Sequence, residues 1–156
     1  TKLLIGWLET EPWPPWFDGM ALMFQREVAE RIVAAPGTKP YGRLAVISQW
    51  RCNCEIVMTL GPEAFVPPPK VASAVVRFMP RASPTPACDA RALGQVTRVI
   101  FGQRRKMLRQ SLKALGVELP PLYEAADIKG TERAEELSVD QFVALARAYE
   151  ALRASN

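Results

Sequence analysis

Histidine is missing altogether from these 156 residues. Its absence removes any Ser-His-Asp or Cys-His catalytic arrangement and any His-ligated metal centre. Cysteine is scarce and odd in number, with Cys52, Cys54 and Cys88. The Cys52-Asn53-Cys54 spacing fits neither a zinc knuckle nor a CxxC redox pair. Reduced thiols packed as small hydrophobes, and no metal, are therefore expected. No apolar run approaches the roughly 18 residues of a membrane-spanning helix, so no membrane partner is expected and a cytoplasmic setting is. The chain also opens without an initiator Met, on an apolar periodicity with no cap in front of it, and reads as a piece of a longer chain.

What remains is a globular composition, 49% apolar and 23% charged with 14 Pro, which excludes a disordered or collagenous chain. The length suits one domain or one domain with an appendage. Net charge is +4 but unevenly placed. Residues 91–113 hold seven basic side chains and no acidic one, whereas residues 116–156 hold four basic and eight acidic. A confined basic segment between near-neutral and acidic ones suggests an anionic partner.

Periodicity predicts an α/β first half. A helix ends near Leu8, closed by prolines. The apolar run over 19–24 suits a strand buried on both faces, as in a parallel sheet. An amphipathic helix follows over 25–35 and stops at Pro36-Gly37. A second short helix spans about 44–51. Strands over 53–60 and 71–79 are expected to pair antiparallel across a proline-rich link. The stretch 80–86 is aperiodic and marks the expected domain boundary, giving 1–80 and 81–156. Beyond it everything reads as helical: one long helix over 90–115, a short one over 123–128, and a last one to about Arg153. Ser138 and Gln141 form a capping box at the start of that last helix.

On the expected long helix, Arg98, Arg105, Lys106, Arg109 and Lys113 share an arc of about 100°, opposite Ile100, Phe101, Met107, Leu108, Leu112 and Leu115. Five cations without acidic neighbours forgo i,i+4 pairing, which polyphosphate would explain. A solvated face with acidic partners from elsewhere in the fold is the other reading. The second constellation is Phe65-Val66-Pro67-Pro68-Pro69-Lys70. Its prolines fix an aromatic ring near a cation, as a pocket for an extruded base needs. A proline-rich turn with Phe65 in the core is the plainer reading of these residues. Either proline segment could also serve as a peptide-recognition ligand, a more remote reading.

The phrase Phe65-Val66-Pro67-Pro68-Pro69-Lys70-Val71-Ala72-Ser73-Ala74-Val75-Val76 resembles the F-x-P-x-P-K-V-x-S-x-V segment of ribosomal RNA adenine N6-dimethyltransferases. Further stretches match in family order: Gln25-Arg26-Glu27-Val28-Ala29-Glu30-Arg31, Lys39-Pro40-Tyr41-Gly42-Arg43-Leu44, Phe101-Gly102-Gln103-Arg104-Arg105-Lys106-Met107-Leu108-Arg109, and Arg133-Ala134-Glu135-Glu136-Leu137-Ser138. The bacterial small-subunit type is the nearest likeness; the resistance methyltransferases acting on large-subunit RNA are similar but weaker in the C-terminal motifs.

The resemblance implies an α/β fold, namely the C-terminal part of a Rossmann-like class I methyltransferase sheet followed by a small all-helical RNA-binding domain. It implies S-adenosylmethionine as cofactor and small-subunit ribosomal RNA as partner, with dimethylation at adenine N6 in ribosome biogenesis. In that family the adenine amine attacks the methyl group directly. Phe65 would lie against the target base. Lys39, Arg43, Lys70, Arg98, Arg104, Arg105, Lys106, Arg109 and Lys113 would face RNA.

The family's glycine-rich cofactor loop, its ribose-binding acid and its Asn-Leu-Pro-Tyr/Phe motif do not occur in this sequence. The cofactor site is therefore expected in an upstream half, and this chain alone is expected to be inactive. The family's sheet puts the last-but-one strand at an edge and the last strand inside. The 20–24 strand would then lack a neighbour, so self-association, or association with the missing half, is expected. The alternative is a non-catalytic RNA- or ribosome-binding module that keeps the basic segment.

Overall fold

The computed structural model describes residues 1–84 and 86–155. Seven helices and three strands run in the order α1 (Lys2–Leu8), β1 (Met20–Gln25), α2 (Arg26–Ile32), α3 (Arg43–Arg51), β2 (Cys52–Leu60), β3 (Ser73–Pro80), α4 (Ala90–Gly102), α5 (Leu108–Ser111), α6 (Leu119–Ala126) and α7 (Val139–Ala154). Among the described residues, no helix is long and apolar enough to cross a membrane.

The sheet order is β1-β3-β2, antiparallel throughout. Met20 faces Phe78 and Gln25 faces Ser73, while Cys52 faces Pro80 and Leu60 faces Ser73. The register slips between Ile56 and Met58, a bulge that leaves Val57 without a partner. As the resemblance implied, β2 lies at an edge and β3 inside. The strand expected to be buried on both faces is not: β1 alternates half-buried Met20, Leu22 and Phe24 with exposed Ala21, Met23 and Gln25. Its neighbour among the described residues is antiparallel β3, and helices cover only one sheet face, so only one face is withdrawn from water.

That covered face forms a core of Leu4, Leu8, Ala29, Ile32, Ile47, Cys52, Ala74, Val76 and Phe78. A second core gathers Tyr41, Ala45, Val46 and Trp50 with the helical residues Leu93, Val96, Ile100, Leu108, Leu112, Leu122, Phe142 and Leu145. Each large side chain buried this way contributes roughly 1.5–3 kcal/mol. Helix α3 serves both cores, with Ile47 on the sheet side and Ala45, Val46 and Trp50 on the helical side. The stretch 80–86 expected as a boundary includes Thr85, which lies outside the described residues.

Three helical expectations are corrected. Helix α2 ends at Ile32 rather than at 35, because the Gln49 side-chain amide donates to the carbonyls of Ile32 (3.0 Å) and Ala34 (2.7 Å) and closes its C-terminus. Helix α6 starts at Leu119, since Pro120 and Pro121 fall in its first turn, where a missing N–H costs nothing.

The long helix over 90–115 is broken. Helix α4 stops at Gly102, a turn occupies 103–107, and α5 runs into a 3₁₀ segment, Leu112–Leu115, ended by Gly116 at φ +70°. The amides of Leu108 and Arg109 donate to Glu132 (2.8 Å) and Gly130 (2.9 Å) instead of continuing α4. The five-cation arc therefore does not exist as one helical face. Arg98 sits on α4, Arg105 and Lys106 in the turn, Arg109 on α5 and Lys113 on the 3₁₀ segment. Met107, expected to be buried, is exposed, whereas Leu108 and Leu112 are buried. The capping box at Ser138 forms in both directions with Gln141.

Candidate nucleic-acid interface

Strand β2 hands over to a 3₁₀ turn, Pro62–Ala64, whose closing bond runs from the Phe65 amide to the Pro62 carbonyl at 3.2 Å. Phe65 emerges extended and half-buried, and it belongs to neither apolar core. Val66 is fully exposed and residues 67–70 are exposed, Lys70 among them. The far end of the segment is tied down where the Arg26 amide donates to the Ala72 carbonyl at 2.9 Å. The result is a proline-stiffened ledge, anchored at both ends, that carries one ring and one cation.

The 38–43 loop is held from the helical side. Tyr41 is buried, its hydroxyl donates to the Leu137 carbonyl at 2.8 Å, and burial pushes its phenol pKa up. Arg104, in the turn after α4, donates from Nη1 to the Tyr41 carbonyl (2.7 Å) and from Nη2 to the Lys39 carbonyl (2.8 Å). Its guanidinium also lies 5.9 Å from the Phe101 ring centroid. Lys39 itself points to solvent.

Arg105, Lys106, Arg109 and Lys113 are exposed, as is Arg98. The ion pairs present among the described residues join Arg26 to Glu30, Arg31 to Glu27, Arg51 to Glu11 and Arg77 to Glu55. None of the nine basic residues singled out from sequence takes part. Among the described residues none of the nine forms an ion pair with an acidic side chain.

The structure brings some of these residues together and separates others. Arg43, which opens α3, shares a cleft with Arg98. Arg104 joins the Lys39 loop to the basic turn. Among the described residues, no hydrogen bond, ion pair or ring contact links the Phe65–Lys70 ledge to that turn. Sequence reasoning missed Arg51 entirely. This arginine is 3% exposed, bonded to the Leu8 and Thr10 carbonyls and to Glu11, and lies 4.4 and 4.9 Å from the Trp13 and Trp50 rings. It also passed over Arg91 and Gln95, whose spacing from Arg98 on α4 would have placed all three on one stripe.

Other chemistry is thinly represented. The three cysteines are free, and burial first, with neighbouring charges a smaller influence, pushes each thiol up to about 12. Among the described residues no group of three or more His, Cys, Asp or Glu side chains could hold a metal. A cleft of about 760 Å³ is lined by Glu9, Glu11, Asp89, Arg91, Gln95, Arg153 and two alanines. It offers no aromatic wall to stack an adenine and no glycine turn to admit the cofactor's amino-acid end. The lining of that cleft does not fit S-adenosylmethionine.

A family model described as ribosomal RNA adenine dimethylase matches residues 1–151. The chain belongs to that family. "Ribosomal RNA small subunit methyltransferase A" of Xanthobacter autotrophicus is 59% identical over 153 residues, covering 98% of this chain and 53% of the relative. The protein of the same name from Afipia carboxidovorans is 62% identical over 146 residues, covering 94% of this chain and 51% of the relative. The chain thus spans about half the length of the curated relatives it matches.

Among solved structures, a dimethyladenosine transferase from Plasmodium falciparum superposes with a TM-score of 0.78 at 25% identity, over 92% of this chain and 60% of that one. The 23S rRNA methyltransferase ErmE superposes at 0.62 with 20% identity, over 96% and 60%, a likeness of fold. The small antiparallel sheet and its helices are consistent with part of an α/β methyltransferase fold.

Proposed function

We propose that the protein acts in S-adenosylmethionine-dependent dimethylation of adenine N6 in small-subunit ribosomal RNA, and that these 156 residues supply the RNA-facing part of the reaction. Residues 1–80 would complete the methyltransferase sheet, with 81–156 as a helical RNA-binding domain. The observation that carries this reading, beside the family match, is the set of nine cations that form no ion pair among the described residues. Ion pairs would satisfy them in a plain solvated fold; a polyphosphate supplies the same counter-charge and releases bound counterions.

Each group then has a defined task. The Phe65 ring offers a stacking surface for an extruded adenine, which orients the base without needing a general base on this chain. Lys70, further along the same ledge, offers a charge to an adjoining phosphate. Lys39, Arg43 and Arg98, with Arg105, Lys106, Arg109 and Lys113, hold the RNA backbone, while Arg104 sets the Lys39 loop beside them. The large cleft does not fit the methyl donor, and its site is proposed to lie in the part of the family's length that this chain does not span.

The test is mass spectrometry of small-subunit RNA incubated with this chain, alone and together with the remaining half of the enzyme. Dimethyladenosine formed only in the combined reaction supports the reading. Binding of the RNA with no restored methylation would mark a non-catalytic RNA-binding module. Calorimetry adds a second check, since stoichiometric, micromolar uptake of S-adenosylmethionine by the chain alone would contradict the placement of the donor site.

The outer edge of β1 has no pairing partner among the described residues, and Met23 and Met79 are exposed nearby. Unpaired strand edges template association. Self-association, or association with the remaining half, is proposed. A monomeric scattering mass at high concentration would count against it.

A further inference from the structure

Three arginines from two parts of the chain meet beside a bare stretch of helix. Arg91, Gly94, Gln95 and Arg98 follow the i, i+3, i+4, i+7 stripe of α4, and with Glu9 and Arg43 they line a cleft of about 240 Å³. Glu9 follows the last turn of α1 and Arg43 opens α3, so the cleft lies where the sheet-side helices meet the first helix of the helical half.

Glycine in mid-helix costs about 1 kcal/mol relative to alanine and is placed there when something comes close to the backbone. At Gly94 a Cβ would lie 3.4 Å from Glu9 Oε1 and 4.0 Å from Arg43 Nη2, so the cleft floor is helix backbone with charged side chains leaning over it. Among the described residues none of the three guanidinium groups has an ion-pair partner, although Glu9 is in the same cleft. The Arg43 Nε is buried and has no hydrogen-bond partner. Three like charges converge there with one carboxylate, and donors go unused. Planar guanidinium forks match the paired oxygens of a phosphodiester, and the side-chain amide of Gln95 adds a neutral donor.

We propose that this cleft seats a single phosphodiester of the RNA, gripped by Arg43, Arg91 and Arg98 over Gly94, and so clamps one strand across the junction of the two halves. The proposal rests on the RNA-binding reading above.

The experiment measures affinity for a hairpin from the 3′ end of small-subunit ribosomal RNA across a salt series, for the wild type, Arg91→Gln, Arg98→Gln and the double variant. A single shared phosphate predicts that the double variant loses about 0.7–0.9 from the magnitude of the log K against log salt slope. The two single losses then fail to add. The Lys2→Gln/Arg147→Gln double variant, with the same change in net charge, keeps the wild-type slope.

Both α4 arginines are exposed, so the variants should melt with the wild type. If the double variant melts lower, Arg98→Gln alone carries the comparison. RNA binding with an unchanged slope in the cleft variants overturns the cleft while leaving the RNA-binding reading in place. Additive losses of about twice that size overturn the single-phosphate geometry. A wild type that binds no RNA overturns both.

Discussion

Arg104 is bound to the Tyr41 main-chain carbonyl at 2.7 Å across a sequence separation of 63 residues. With its second bond to Lys39, this fixes the break after α4 against the loop before α3. Arg104 and Arg105 are adjacent and equally charged, yet only the first is committed to the protein's own backbone. Charge-assisted bonds of this kind contribute about 1.5–3 kcal/mol, less where water reaches them. Arg104→Gln is predicted to lower the denaturation free energy by about 1–2 kcal/mol. Arg105→Gln is predicted to stay within about 0.5 kcal/mol. Urea midpoints measure both, and equal losses would contradict the division of roles.

Arg51 makes a sharper case. Its guanidinium lies near two indole rings and reaches two carbonyls at 2.8 Å, while Glu11, its ionic partner, is 58% exposed. Replacing the buried member strands the carbonyls and removes the packing between the rings. Arg51→Ala is predicted to cost about 3–5 kcal/mol. Glu11→Gln is predicted to cost under about 1 kcal/mol, as for an exposed partner. The same urea titration decides, with tryptophan fluorescence as the readout.

Glu132 titrates in a distinctive setting. Desolvation pushes its pKa up, but hydrogen bonds from the backbone amides of Lys129, Glu132 itself and Gly130, with the Lys129 charge, outweigh it and hold the carboxyl below its ordinary value. A depressed folded-state pKa gives stability that is present above the unfolded value of about 4.3 and lost as pH falls through the folded one. The loop it organises supplies the carbonyls that start α5. Stability is therefore predicted to fall on acidification below about pH 4.3, and Glu132→Gln to flatten that fall. Parallel acid titrations of the two proteins would contradict this.

Phe65 and Arg105 separate orientation from grip. In the combined methylation reaction proposed above, Phe65→Ala removes a stacking surface worth about 1–3 kcal/mol and is predicted to lower methylation more than RNA affinity. Arg105→Glu is predicted to do the reverse and to reduce the salt slope by about 1. Rate and affinity measured on the same RNA check this. Equal losses in both would remove the distinction.

The sheet was legible because the β-branched run around Val75 and Val76 alternates and prolines bracket it. The capping box at Ser138 was legible because it is purely local. The break after Gly102 was not: what stabilises it are carbonyls of Lys39, Tyr41, Gly130 and Glu132, remote in sequence or beyond a turn. Arg51 gave no local signal, because only the fold puts Trp13 beside it. The one-faced burial of β1 was hidden because an apolar run records hydrophobicity and not which faces are covered. The charge bias of residues 91–113 was legible from composition; the layout of the cations was tertiary information.

The most direct test of the central claim is a calorimetric titration of this chain with small-subunit ribosomal RNA at two salt concentrations. An RNA-facing surface predicts saturable binding that weakens steeply as salt rises, by about 0.7–0.9 in log K per log unit of salt for each phosphate held. No binding, or binding indifferent to salt, would contradict it.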